Sequence, residues 1–139
     1  SVYQAGTLSG NPVAMRAGLA QLRYLKQHPE VYPYLTERAE QLRYGLKQLI
    51  DRYHMPCTVT GVGSLSCLYF TKQTVTNYEL AKTADTELFR QYFHFMLERG
   101  NYFAPSQFEA IFLSAAHTEA DIAKTLSDAE SFFQMISHK

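Results

Sequence analysis

The chain has 139 residues, 46% hydrophobic and 19% charged, and its formal net charge is zero. That length holds one domain with a real core and is too short for two of ordinary size; the composition is that of a globular chain. Neutrality removes any global electrostatic case for nucleic acid or an anionic membrane as partner, and no apolar run approaches the roughly 18 residues that span a bilayer.

The first eleven residues are polar and glycine-containing and are read as an extended loop. Asn11 followed by Pro12 predicts a helix start, since Asn caps and Pro suits the first helical position. The helix should run to about Gln27, with Ala14, Ala17, Gly18, Leu22 and Leu25 on one face. Pro29 ends it. A second helix begins between Glu30 and Pro33, with Leu35, Ala39, Leu42, Leu46, Leu49 and Tyr53 as its apolar seam, and Pro56 stops it. Residues 57–71 turn to Val, Thr, Leu, Tyr and Phe, broken by Gly61 and Gly63, which predicts two short strands with a turn or bulge at the glycines.

Residues 77–100 read as helix in two pieces, hinged near Asp85, with Gly100 as the stop. Short strands are expected at 101–104 and 110–115. Thr118, with Asp121 three positions on, caps a last helix whose stripe is Leu126, Ala129, Phe133 and Ile136. This order suggests an α+β fold: a small, mostly antiparallel sheet covered on one side by helices.

Ten Tyr and nine Phe accompany no Trp. A domain this small would struggle to hide them all, so some are expected to face a further domain or a second subunit. Tyr92, Phe93, Phe95, Phe103 and Phe108 are read as packing residues, since no basic stripe accompanies them as base stacking would require. Cys57 and Cys67 lack metal-ligand spacing and form no disulfide framework, which suits thiols in a reducing cytoplasm. No signal peptide is read at the start, and the chain lacks an initiator Met; both fit a cytoplasmic fragment.

Three places invite chemistry. The stretch from Ala5 to Pro12, AGTLSGNP, is a glycine-punctuated loop with two hydroxyls feeding a helix start, which serves either a phosphate or an ordinary capped loop. Glu109 lies between aromatics and an apolar strand, so it is either a buried acid needing a partner or a loop-edge carboxylate in water. His117, at a strand end, reads best as hydrogen-bonded to backbone. No histidine, including His28, His54, His94 and His138, has ligand spacing, and no metal site is expected.

Three blocks together carry a resemblance: VYQAGTLSGNP at 2–12, APSQFEA at 104–110, and SAAHT at 114–118 with Asp121 and Ile122. They resemble the C-terminal part of the glutamate-1-semialdehyde 2,1-aminomutase family, across essentially the whole chain. The resemblance implies the C-terminal small domain of a fold type I enzyme that uses pyridoxal 5'-phosphate or pyridoxamine 5'-phosphate as a homodimer. Its implied reaction converts glutamate 1-semialdehyde to 5-aminolevulinate in tetrapyrrole synthesis. Residues 1–11 would then be a cofactor-phosphate loop belonging to the large domain, and 12–139 the C-terminal α+β domain with its leading interdomain helix. Gly6 and Thr7 would touch the cofactor phosphate of the neighbouring subunit, and Glu109 would help form the substrate pocket. The Schiff-base lysine and the acid that pairs with the pyridine nitrogen would lie upstream. Lys26, Lys47 and Lys72 have no matching context, so no catalytic residue is assigned here and the segment alone is expected to be inactive.

The chain departs from the family twice. Ile111 stands where glycine is usual, and is expected to narrow what the smaller residue leaves open. Asn101 stands where an apolar residue is more common. Two further readings remain open: another class-III aminotransferase, and a non-catalytic α+β interaction module.

Overall fold

The computed structural model describes residues 2, 3 and 5–137; Gln4 of the loop motif and His138 lie outside the described residues. Asn11 caps α1, Pro12–Gln27, by accepting from the amides of Val13 and Ala14, and Pro12 opens the helix as expected. No residue of α1 is buried, so the described chain leaves its face of small residues largely uncovered. The second helix, α2, Val31–Tyr53, buries Ala39, Leu42, Leu46 and Leu49, the centre of the predicted seam. It ends on His54 in the left-handed conformation (φ 51°), two residues before Pro56.

The two expected strands are β1, Thr58–Val62, and β2, Leu65–Tyr69, an antiparallel hairpin that turns through Gly63 and Ser64. Gly63 takes a φ of +52°, which favours glycine. Gly61 sits within β1 for a different reason: a Cβ there would overlap the Leu65 carbonyl and come within 2.8 Å of the Arg43 side chain. The space it leaves lets Arg43 Nη1 reach the carbonyls of Gly63 (3.0 Å) and Leu65 (3.0 Å) and the Ser66 hydroxyl (3.3 Å), tying α2 to the hairpin.

The helical stretch after the hairpin divides into α3, Tyr78–Ala81, and α4, Thr86–Glu98. Asp85 makes the division: its carboxylate accepts from the amides of Glu87 and Leu88, and its own amide donates to the Phe70 carbonyl. Gly100, at φ +80°, closes α4, with its amide on Leu97 O and that of Asn101 on Met96 O. This paired bonding satisfies carbonyls that the helix end would leave bare.

The structure corrects the expectation at the next two segments. Residues 101–104 form no strand, and the expected strand over 110–115 shrinks to β3, Ile111–Phe112. Asn101 explains the first: its amide donates to Asp128 Oδ2 (2.7 Å) and its oxygen accepts from the Thr125 hydroxyl (3.0 Å). The segment is therefore tied by side chains to the last helix, α5, Glu119–Ser137, instead of to a sheet edge. Thr118 and Asp121 cap α5 reciprocally: the Thr118 amide donates to Asp121 and the Asp121 amide to the Thr118 hydroxyl.

The sheet runs β1-β2-β3, antiparallel throughout. Val59, Ser66 and Leu68 face inward and are buried, while Val62 and Phe112 on the opposite face stand exposed. The long helical layer packs on the inner face, as the α+β reading holds, while the short α3 and Phe108 lie beside Thr60 and Tyr69 of the other face. The core is aromatic at its centre. Phe132 is fully buried and meets Phe70, Tyr92 and Phe95 edge-on or tilted, and Phe103 stacks on Tyr92 at 5.9 Å. Such pairs contribute about 0.5–1.5 kcal/mol each beyond area burial. The stripe read from α5 held Phe133 and Ala129 but passed over Phe132 and Ile122, which are buried too.

Candidate functional site

The loop between Ala104 and Ala110 is held at both ends. Upstream, the Asn101 network fixes the chain to α5, and Phe103 stacks on Tyr92. Downstream, Ile111 enters the sheet opposite Ser66. Within the loop, Ser106 organises a tight turn: its hydroxyl accepts from the Phe108 amide (3.2 Å) and its carbonyl from the Glu109 amide (3.1 Å). Glu109 is thereby presented outward as an exposed carboxylate, the second of the two sequence readings. Phe108 lies against Tyr78 with ring centroids 5.9 Å apart.

Beside Glu109 the loop borders a small, partly open cavity of about 20 Å³, lined among others by Tyr92, Phe103, Ser106, Gln107, Glu109 and Ile111. Burial pushes the Tyr92 phenol above its usual range. Ile111 is half-buried, packs against the core and forms one wall of this cavity, so it does occupy space beside Glu109. Gln107 is 3% exposed, with no protein partner for either side-chain polar atom among the described residues. No periodicity or motif marks Gln107 as buried, and sequence reading missed it.

Gly6 and Thr7 lie in a separate, exposed turn. The Ser9 amide donates to Gly6 O and that of Asn11 to Leu8 O, both at 3.0 Å. A Cβ at position 6 would stand 2.8 Å from the Ser9 hydroxyl, so glycine keeps this turn compact. The exposed Thr7 hydroxyl, the absence of any acid from residue 1 to residue 15, and the N-terminus of α1 suit an anionic group such as a phosphate. Among the described residues no hydrogen bond links this turn to the Glu109 loop.

His117 takes the structural role expected of it. Its Nδ1 lies 3.0 Å from both the Ser114 amide and hydroxyl, and its carbonyl accepts from the Tyr34 hydroxyl (2.7 Å). His94 is exposed on α4, and His28 pairs with Glu30. No group of acid, His and Cys side chains with metal-holding geometry occurs among the described residues. Both cysteines are free, and burial pushes the Cys57 thiol up to about 12. Among the described residues, no helix is long and apolar enough to cross a membrane.

Comparison with known proteins gives this geometry its context. The chain is 56% identical over 134 residues to glutamate-1-semialdehyde 2,1-aminomutase 2 of Lachnoclostridium phytofermentans, covering 96% of this chain and 32% of that protein. It is 54% identical over 129 residues to the glutamate-1-semialdehyde 2,1-aminomutase of Ruminiclostridium cellulolyticum, covering 93% and 30% respectively. This chain is a homologue of part of the glutamate-1-semialdehyde 2,1-aminomutases. It spans about a third of the length of the curated relatives it matches.

That family belongs to the class-III aminotransferases, which depend on pyridoxal phosphate. The homologue's fold recurs in an omega-transaminase from Sphaerobacter thermophilus, with TM-score 0.78 and 22% identity over 96% of this chain and 30% of the other. It recurs also in a glutamate-1-semialdehyde-aminomutase from Pseudomonas aeruginosa PAO1 in complex with PMP, with TM-score 0.68 and 20% identity over 76% and 23%. No family model matches the chain.

Proposed function

We propose that this chain is the C-terminal segment of an aminomutase that converts glutamate 1-semialdehyde to 5-aminolevulinate in the cytoplasm, as a homodimer. The observation that carries the reading is the 56% identity maintained over 96% of the chain. Residues 1–11 serve as the cofactor-phosphate loop of the large domain, and 12–139 as the C-terminal domain. Gly6 and Thr7 hold the phosphate of the neighbouring subunit's cofactor: glycine keeps the turn tight, and the threonine hydroxyl donates a hydrogen bond. The Glu109 carboxylate, held outward by the Ser106 turn, accepts hydrogen bonds from donor groups of the substrate. Ile111 limits the space behind it.

When bound, the cofactor supplies the electron sink and carries the amino group. The lysine that bonds it lies outside this segment, so the segment alone is inactive.

The test places this chain in a full-length aminomutase, in exchange for the corresponding segment. The chimera should turn over glutamate 1-semialdehyde, and better than it uses other amino donors; a preference for another donor would favour a different class-III aminotransferase. Thr7→Val in that chimera should weaken cofactor retention roughly 10- to 100-fold without lowering the melting temperature of the cofactor-free form, since a hydrogen bond to a charged group contributes about 1.5–3 kcal/mol. Unchanged retention would make Thr7 an ordinary loop residue. The chain alone, treated with pyridoxal phosphate and borohydride, should trap no stoichiometric adduct at one lysine.

A further inference from the structure

We infer that the cavity under the Glu109 loop is a binding site for one internal water molecule, held by the Gln107 amide, and that Gln107 is the positioning residue of that loop. Gln107 is the most deeply buried residue of the loop, at 3% exposure. Both its Oε1 and Nε2 are enclosed without a protein partner among the described residues. A primary amide offers two donors and two acceptor sites, and leaving such groups unpaired in an interior costs about 1–3 kcal/mol. The adjoining cavity measures about 20 Å³, which is room for one water and no larger ligand.

Its lining is apolar on the core side, at Phe103 and Ile111, and polar on the loop side, at Ser106, Gln107 and Glu109. Buried waters require two to four polar partners, and the Gln107 amide with the neighbouring polar lining residues is where this water would draw them. The same water ties Gln107 to the residues that bracket it, Ser106 and Glu109, whose amide-to-carbonyl bond closes the turn. Loop and core are then joined by solvent as well as by the stacking of Phe103 on Tyr92.

The water site stands whether or not the aminomutase reading does; only the consequence for substrate rests on Glu109 facing a substrate. The experiment is therefore made on the chain as given. Water–amide cross-relaxation measured by NMR should show a long-lived contact at the Gln107 side-chain NH2. Absence of that contact in the folded wild-type chain would overturn the site. Gln107→Met keeps the length but removes the hydrogen bonds. It should abolish the contact and speed hydrogen exchange of the Glu109 amide about five- to tenfold, while the amides of Leu46 and Phe133 keep their protection. If the amide instead sits dry, methionine relieves an unpaired polar group. Protection at Glu109 would then hold or rise, which refutes the positioning role. The wild-type measurement decides the site even if the variant fails to fold.

Discussion

Replacing Asn101 by Val tests whether side chains of α5 hold the approach to the Glu109 loop. The substitution deletes two hydrogen bonds: the 2.7 Å bond to the Asp128 carboxylate and the 3.0 Å bond from the Thr125 hydroxyl. The first involves a charge and contributes about 1.5–3 kcal/mol; the second is neutral and contributes about 0.5–1.5 kcal/mol. Asp128 keeps Lys124 at 2.7 Å, and valine adds some apolar burial, which together offset roughly 1 kcal/mol. The expected net loss is about 2 kcal/mol, read by urea denaturation at pH 7.

The pH dependence adds a second reading. Burial works against the Asp128 charge, but hydrogen bonds from Lys124 and Asn101 outweigh it and hold the carboxyl below its usual range. A depressed folded value stabilises the fold above the unfolded value, and that stabilisation is lost as pH falls through the folded one. Wild type should therefore lose more stability than Asn101→Val on acidification from pH 5 into that range. A valine variant as stable as wild type at pH 7, with the same acid dependence, would refute the idea that this network anchors the segment.

Two further outcomes follow from burial and close approach. With iodoacetamide at pH 8, Cys67 should be alkylated at least tenfold faster than Cys57, because burial raises the Cys57 thiol to about 12 while Cys67 is half-buried on the open sheet face; peptide mass mapping checks this, and equal rates would refute it. Gly61→Ala should destabilise the chain by about 1–3 kcal/mol in thermal melts, because the added methyl meets the Leu65 carbonyl and the Arg43 side chain together; an unchanged melting temperature would show that the Arg43 tie gives way freely.

The helices were legible in the sequence because their ends are written in local chemistry. Asn11, Asp85 and Thr118 each cap through their own side chains, and Gly100 stops α4 by its positive φ. The last strands were not legible, because their fate was decided by distant partners. Residues 101–103, Asn-Tyr-Phe, look as much like strand as Leu65 to Tyr69 does. What separates them is Thr125 and Asp128, more than twenty residues downstream, which take up the Asn101 side chain. Arg43 was invisible for the same reason: its partners lie on a hairpin twenty or more residues away.

The same distinction explains how the site was read. Gly6, Thr7 and Glu109 were singled out by motif, which needs no knowledge of what lies inside the fold. All three are exposed. What holds Glu109 in place was not marked, because support comes from inside the fold. Asn101, Phe103, Gln107 and Tyr92 serve the loop through burial, stacking and hydrogen bonds to elements remote in sequence. The aromatic excess divides along this line too. Phe70, Tyr92, Phe132 and Phe133 fill the interior. Tyr3, Tyr24, Tyr102 and Phe112 stay more than half exposed, alongside Val13, Met15 and Leu22 of α1, from which no residue is buried. These side chains lie on the surface of the described chain, where the expectation of a further domain or a second subunit places some of the aromatics.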